Sequence, residues 1–310
     1  MHLQFLTLAI AALSSAFVHA DDNKQKANGA ITPKTEGETP AGKPYVYKTS
    51  AGVERNMEIY FPPNNNPATA KVPGLILFHG GGWQGGSLQK LRYACEYFAS
   101  RGIVCATAEY QMLGKKGLAQ LPAGHSIKRV CVTDAKSAIR WFKQNSTSLG
   151  IDPTRIITGG GSAGAHISAL ATMNSGLSDP TDPADVDTHV AAYLWFNPAF
   201  TAQDKKDPEI DVLHHLKADL PPTFVIFGDK DEWRAGWDTA HAKWQSLGVK
   251  SIDLLIAPNQ KHGFFNYEPW KTSCLIAADE FLTKNGFLTG EPTLPVPQPE
   301  HRLQVTPPAK

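Results

Sequence analysis

The run Gly159-Gly160-Gly161-Ser162-Ala163-Gly164 holds a G-x-S-x-G spacing, with glycines 160 and 164 around a serine. A serine hydroxyl is a weak nucleophile until a neighbouring base takes its proton. Here the setting favours that use. Arg155-Ile156-Ile157-Thr158 ahead of the motif reads as a buried strand, and residues 163–174 behind it read as a helix. Such a strand–turn–helix holds a serine on a sharp turn, at the positive end of the helix. Backbone approaches backbone closely there, so side chains at 160 and 164 would collide. A Gly-rich turn that merely connects, or that cradles a phosphate, is the competing reading, and no Lys follows the glycines to support the phosphate.

A second motif lies upstream, where Gly74-Leu75-Ile76-Leu77-Phe78 runs into His79-Gly80-Gly81-Gly82-Trp83. Consecutive glycines let main-chain N–H groups turn toward one point, as an oxyanion hole requires. The N–H groups of Gly81, Gly82 and Ala163 are the expected donors. The serine also needs a base, and the base an orienting carboxylate. Thr223-Phe224-Val225-Ile226-Phe227 leads into Gly228-Asp229-Lys230-Asp231-Glu232, and Ile252–Ile256 leads into a loop ending at His262-Gly263-Phe264. The expected order is therefore Ser162, Asp231, His262. Asp229 is the alternative acid and Glu232 a more remote one. His79 is expected to structure its loop, and His166 to pack. No paired His or Cys spacing resembles a metal site, and no metal or cofactor is expected. Trp83, Trp195, Trp233 and Phe264 are candidates to line the substrate pocket, with Phe196 and Phe265, although aromatics at strand ends are as often core.

These residues must be carried by a frame. The strand candidates already named, with 102–108 and 190–196, lack clean alternation and are separated by helix candidates near 88–100, 126–147, 163–174, 236–247 and 270–285. That pattern predicts an α/β fold, a mostly parallel sheet with helices on both faces. Ligands then belong beyond the carboxyl ends of the strands.

The ends read differently. Met1–Ala20 is apolar and free of Lys, Arg, Asp and Glu, then gives way to Asp21-Asp22. It is too short to span a membrane comfortably and reads as a signal peptide cleaved after Ala20. The mature protein is then expected to be exported, periplasmic or extracellular, without stable membrane association. Residues 21–44 read as a flexible leader, 45–290 as one catalytic domain, and 291–310, with six prolines, as a tail in which a regular element is not expected. The balance of 30 Lys+Arg against 29 Asp+Glu offers no excess positive charge for nucleic acid. Four cysteines are too few for a disulfide scaffold; they could pair or stay as buried thiols. Oligomeric state is left open.

Taken together, these segments resemble the α/β-hydrolase superfamily, and within it the esterases and lipases that join an HGGG oxyanion loop to a G-x-S-A-G elbow, the hormone-sensitive-lipase-like carboxylesterases and their secreted bacterial relatives. The resemblance extends to Ala108-Glu109-Tyr110, Asp134–Trp141 and Gly150–Ile156. It implies hydrolysis of carboxylic esters through an acyl-serine, with Ser162, Asp231 and His262 as triad and Gly81, Gly82 and Ala163 as oxyanion donors. The chain departs from the family in lacking a helical cap pattern near its start, and only one short helix, around Ile210–Leu216, is expected between Phe200 and Pro221. An open cleft follows, suited to a short-chain or a carbohydrate-linked acetyl or hydroxycinnamoyl ester. A prolyl-oligopeptidase-like peptidase, an acyltransferase on the same site and a non-catalytic hydrolase-fold binding protein are the alternatives.

Overall fold

The computed structural model describes residues 39–50, 52–119, 121, 123, 125–305; the segment expected to be a signal peptide and most of the expected leader lie outside them. Among the described residues nine strands form one sheet: β1 (Lys43–Ser50), β2 (Val53–Tyr60), β3 (Val72–Phe78), β4 (Val104–Ala108), β5 (Ile151–Gly161), β6 (Ala192–Phe196), β7 (Thr223–Gly228), β8 (Ile252–Ala257) and β9 (Gln304–Val305). Their spatial order is β1-β2-β4-β3-β5-β6-β7-β8-β9. The block from β4 to β8 is parallel, and β1, β2 and β9 are antiparallel additions at its edges. The helices are α1 (Arg92–Ser100), α2 (Lys115–Leu118), α3 (Lys128–Gln144), α4 (Ser146–Leu149), α5 (Ala163–Met173), α6 (Arg234–Ser246) and α7 (Trp270–Lys284).

Parity along each strand sorts the core into two layers, because successive side chains leave opposite faces. Ile76, Phe78, Tyr193, Trp195, Val225 and Phe227 join the layer containing residues of α3, α5 and α6. Leu75, Leu77, Leu194, Phe196, Phe224 and Ile226 join the layer with α1 and α7. Burial on both faces explains why these strands read as unbroken apolar runs. The parallel register brings the strands to a common edge: Phe78 faces Gly160, Gly161 faces Phe196, and Gly228 faces Ala257. The loops bearing the triad and oxyanion candidates leave from that edge.

Three expectations require correction. β1 begins at Lys43, inside the leader expected over 21–44, and the β1–β2 hairpin was not among the expected strands, since KPYVYKTS and VERNMEIY mix charge into the apolar pattern. The proline-rich tail does contain regular structure: β9 pairs with β8 through Leu255–Val305 and Ile256–Gln304. Gln304 and Val305 fall between Pro299 and Pro307, so both keep their N–H groups, and an edge strand needs partners on one side only. Finally, the β6–β7 connection holds two 3₁₀ turns, Ala202–Lys206 and Val212–His214, where one helix was expected. Each has its own cap, Thr201 accepting from Gln203 N–H and Asp211 from Leu213 N–H, and Pro208 lies between them.

Candidate active site

Ser162 lies between β5 and α5 with φ 53° and ψ −116°, outside the regions a serine ordinarily adopts. The turn around it is tight. A Cβ on Gly164 would lie 1.8 Å from the Phe78 carbonyl oxygen, so no larger residue fits there. The Ser162 N–H donates to Phe196 O (2.8 Å), and its carbonyl accepts from His166 and Ala199 N–H groups, both at 3.2 Å. With the backbone pinned on both sides, Oγ stands 2.7 Å from His262 Nε2.

The other ring nitrogen, His262 Nδ1, lies 3.0 and 2.9 Å from the two Asp231 oxygens. A carboxylate beside Nδ1 holds the proton there and leaves the Nε2 lone pair free to accept from Ser162. Asp231 is itself buried and held from two sides: Oδ1 accepts the Trp233 N–H at 2.9 Å, and Oδ2 accepts the Asn197 side-chain amide. Asp229 and Glu232 are exposed and bond neither ring nitrogen of His262. Of the three carboxylates in the loop, Asp231 alone faces the imidazole.

Sequence reasoning did not single out Asn197. It sits immediately after β6, fully buried, with φ 48°, a conformation Asn tolerates better than most residues. The signal available was the Asn197-Pro198 pair at a strand end, a turn signature that gives no hint of a contact to residue 231.

The oxyanion loop turns through three consecutive left-handed residues, Gly81 (φ 137°), Gly82 (φ 61°) and Trp83 (φ 62°). The Gly81 carbonyl accepts from Gln84 and Gly85 N–H at 3.2 and 2.9 Å, closing the turn. Among the described residues, the N–H groups of Gly81, Gly82 and Ala163 donate to no carbonyl or side chain, leaving three donors for an incoming oxygen. His79 props this loop from beneath. Its Nδ1–H donates to Gly80 O at 2.9 Å, its ring stacks on Tyr110 at 4.3 Å, and burial pushes its pKa down to about 4, so the ring stays neutral. His166 is wholly buried, and burial likewise lowers its pKa.

The aromatic candidates divide. Trp195 is core: parity sends it to the sheet face covered by α5 and α6, its Nε1–H donates to Ser168 Oγ at 3.1 Å, and it packs on Trp237 and Trp244. Phe264 is also buried, edge-on to Trp270 in the opposite layer, and Phe196 and Phe265 join it there. Trp83 lies buried against His166 and Trp233. Trp233, half-buried, has its ring 5.9 Å from that of His262. It also walls a pocket of about 390 Å³ lined by Phe200, Thr201, Gln203, Lys205 and Glu232. Among the described residues no cluster of three His, Cys, Asp or Glu is placed to hold a metal, and all four cysteines are buried thiols.

Such a serine, imidazole and carboxylate beside three free N–H donors can attack an acyl carbonyl and stabilise the resulting oxyanion. Known proteins with related sequences point the same way. The BD-FAE family model matches residues 57–193. Esterase 2 of Thermogutta terrifontis superposes with a TM-score of 0.74 at 30% identity, covering 84% of this chain and 100% of that one. The same esterase has been captured phosphorylated by paraoxon and with propionate or butyrate bound. Esterase LipQ of Mycobacterium tuberculosis is 25% identical over 244 residues, which span 69% of this chain and 55% of LipQ's length. Carboxylesterase NlhH of the same organism is 24% identical over 242 residues, 68% of this chain and 71% of NlhH. Sheet order, elbow geometry and similarity along the full length of a solved esterase converge: the chain belongs to the α/β-hydrolase family of serine carboxylesterases.

Proposed function

We propose that Ser162 is the nucleophile, His262 the general base and acid, and Asp231 the residue that orients and balances His262, in the hydrolysis of short-chain esters. One observation carries this reading: His262 sits between Ser162 Oγ at 2.7 Å and Asp231 at 2.9 Å. In the reaction, Nε2 takes the hydroxyl proton as Oγ bonds to the ester carbonyl carbon. The carbonyl oxygen becomes an oxyanion held by the N–H groups of Gly81, Gly82 and Ala163. The alkoxide leaves with the proton from Nε2, and the acyl group stays on Ser162. Water, deprotonated by the same nitrogen, then attacks the acyl carbon and releases the acid.

The acyl preference is supported by the relative with propionate and butyrate bound. For the alcohol portion we favour a hydroxyl-rich group such as a sugar. The pocket beyond Trp233 offers Thr201, Gln203, Lys205 and Glu232 as polar partners and the indole as an apolar wall. Export through a signal at residues 1–20 would bring the enzyme to such polymers outside the cytoplasm. Rates on 4-nitrophenyl esters from acetyl to palmitoyl, beside acetylated xylan, test the proposal. Decline beyond butyryl with acetate release from xylan is expected, and a palmitoyl preference would overturn it.

A further inference from the structure

Trp83 follows two oxyanion glycines in the left-handed region, where a bulky side chain is strained. Its surroundings must therefore hold it, and they contain an unusual group. The Lys128 ammonium, from the start of α3, lies 3.7 Å from the centre of the Trp83 ring. It is buried, and its counter-ion is the buried Asp204 carboxylate, whose oxygens lie 2.6 and 2.8 Å away. Asp204 also lies 3.3 Å from Nε2 of His166, and the edge of His166 meets the same indole at 5.2 Å, nearly perpendicular. The indole N–H has no partner among the described residues, so the ring is fixed by its faces rather than by a hydrogen bond.

Burying a lysine–carboxylate pair is rarely the most stable solution, since apolar residues of similar volume often do as well or better. Stability thus gives a poor account of this pair. A desolvated cation over a tryptophan face, by contrast, is held by the ring's electrons, and that attraction falls away when the ring moves. From this geometry we infer that Lys128 is a positioning residue for catalysis: held by Asp204, it clamps the Trp83 ring and so fixes the Gly81–Trp83 turn with its N–H groups aimed at the oxyanion. The inference rests on the esterase reading above. Lys128 touches no reacting atom and acts only through Trp83.

The test compares Lys128→Met, Lys128→Met/Asp204→Asn and Lys128→Arg in the full chain, with 4-nitrophenyl acetate as substrate. Methionine keeps the length of the side chain without the charge, and the double variant leaves no unpaired ion in the interior. We expect kcat to fall about 10- to 100-fold in both charge-free variants while KM stays within about twofold, the signature of donors misplaced by a fraction of an ångström. The double variant should regain thermal stability relative to Lys128→Met without regaining kcat. Lys128→Arg, which retains a cation over the ring, should recover most of the rate. Inactivation by paraoxon should slow in step with kcat, because that reaction also loads the oxyanion donors. A folded double variant with native kcat, or a loss carried by KM, overturns the inference, as does failure of both charge-free variants to fold, which would make the pair structural. If the native chain hydrolyses no ester, the functional reading fails instead.

Discussion

Replacing Asn197 by glycine isolates one hydrogen bond in the acid–base relay. Glycine accepts the observed φ of 48° and keeps the N–H that donates to Ile226 O at 2.9 Å, so the backbone need not change. What disappears is the amide that donates to Asp231 Oδ2, leaving that buried carboxylate with the Trp233 N–H and His262. A hydrogen bond to a charged group contributes about 1.5–3 kcal/mol. Each 1.4 kcal/mol is about tenfold in rate, so full expression in the alignment of Asp231 lowers kcat about 10- to 150-fold. That is well short of the roughly ten-thousandfold loss expected for Asp231→Asn, which would favour the wrong tautomer of His262. Steady-state kinetics on 4-nitrophenyl acetate, with circular dichroism to verify folding, measure the effect. A folded Asn197→Gly enzyme with native kcat would refute the reasoning and leave Asn197 a turn residue only.

Other expectations follow from the same contacts. Burial lowers the His79 pKa from 6.5 to about 4, so between those values the unfolded chain binds a proton that the folded one does not. Stability should therefore rise with pH across that window, by about 3 kcal/mol from this residue. His79→Asn, which keeps a donor for Gly80 O, should shrink the difference between urea midpoints at pH 4 and pH 7. Gly164→Ala places a methyl 1.8 Å from Phe78 O and should cost about 3 kcal/mol or more, read as a collapse in thermal midpoint or soluble yield. Trp195→Ala should cost about 3–5 kcal/mol with KM unchanged, whereas Trp233→Ala should raise KM with little loss of stability; the reverse pattern would return Trp195 to the pocket.

The six parallel strands were legible because burial on both faces writes them as short apolar runs between amphipathic helices. The β1–β2 hairpin and β9 were not, since strands at and beside the margins of the sheet tolerate polar residues and carry no continuous pattern. Motifs gave the loops, but spacing alone was ambiguous even at the sharpest one. Gly159, Gly161 and Gly164 also satisfy G-x-G-x-x-G, a dinucleotide signature. What separates the readings is three-dimensional: Ser162 Oγ meets an imidazole across 100 positions of sequence. The acid was expected at Asp231, with 229 and 232 as rivals, and in the folded loop Asp231 alone turns inward. Aromatic assignments fared worst, because strand parity, invisible in an unbroken apolar run, sends Trp195 into the core. Long-range partners such as Asn197 to Asp231 and Lys128 to Trp83 leave no local trace at all.

The central claim is that Ser162 is an activated nucleophile, and covalent labelling reaches it directly. Incubating the protein with paraoxon, followed by intact and peptide mass spectrometry, should show one diethyl phosphate per chain on the peptide containing Ser162, with activity lost in proportion. Ser162→Ala should remain unlabelled. Modification at another residue, or full labelling of Ser162→Ala, would contradict the account.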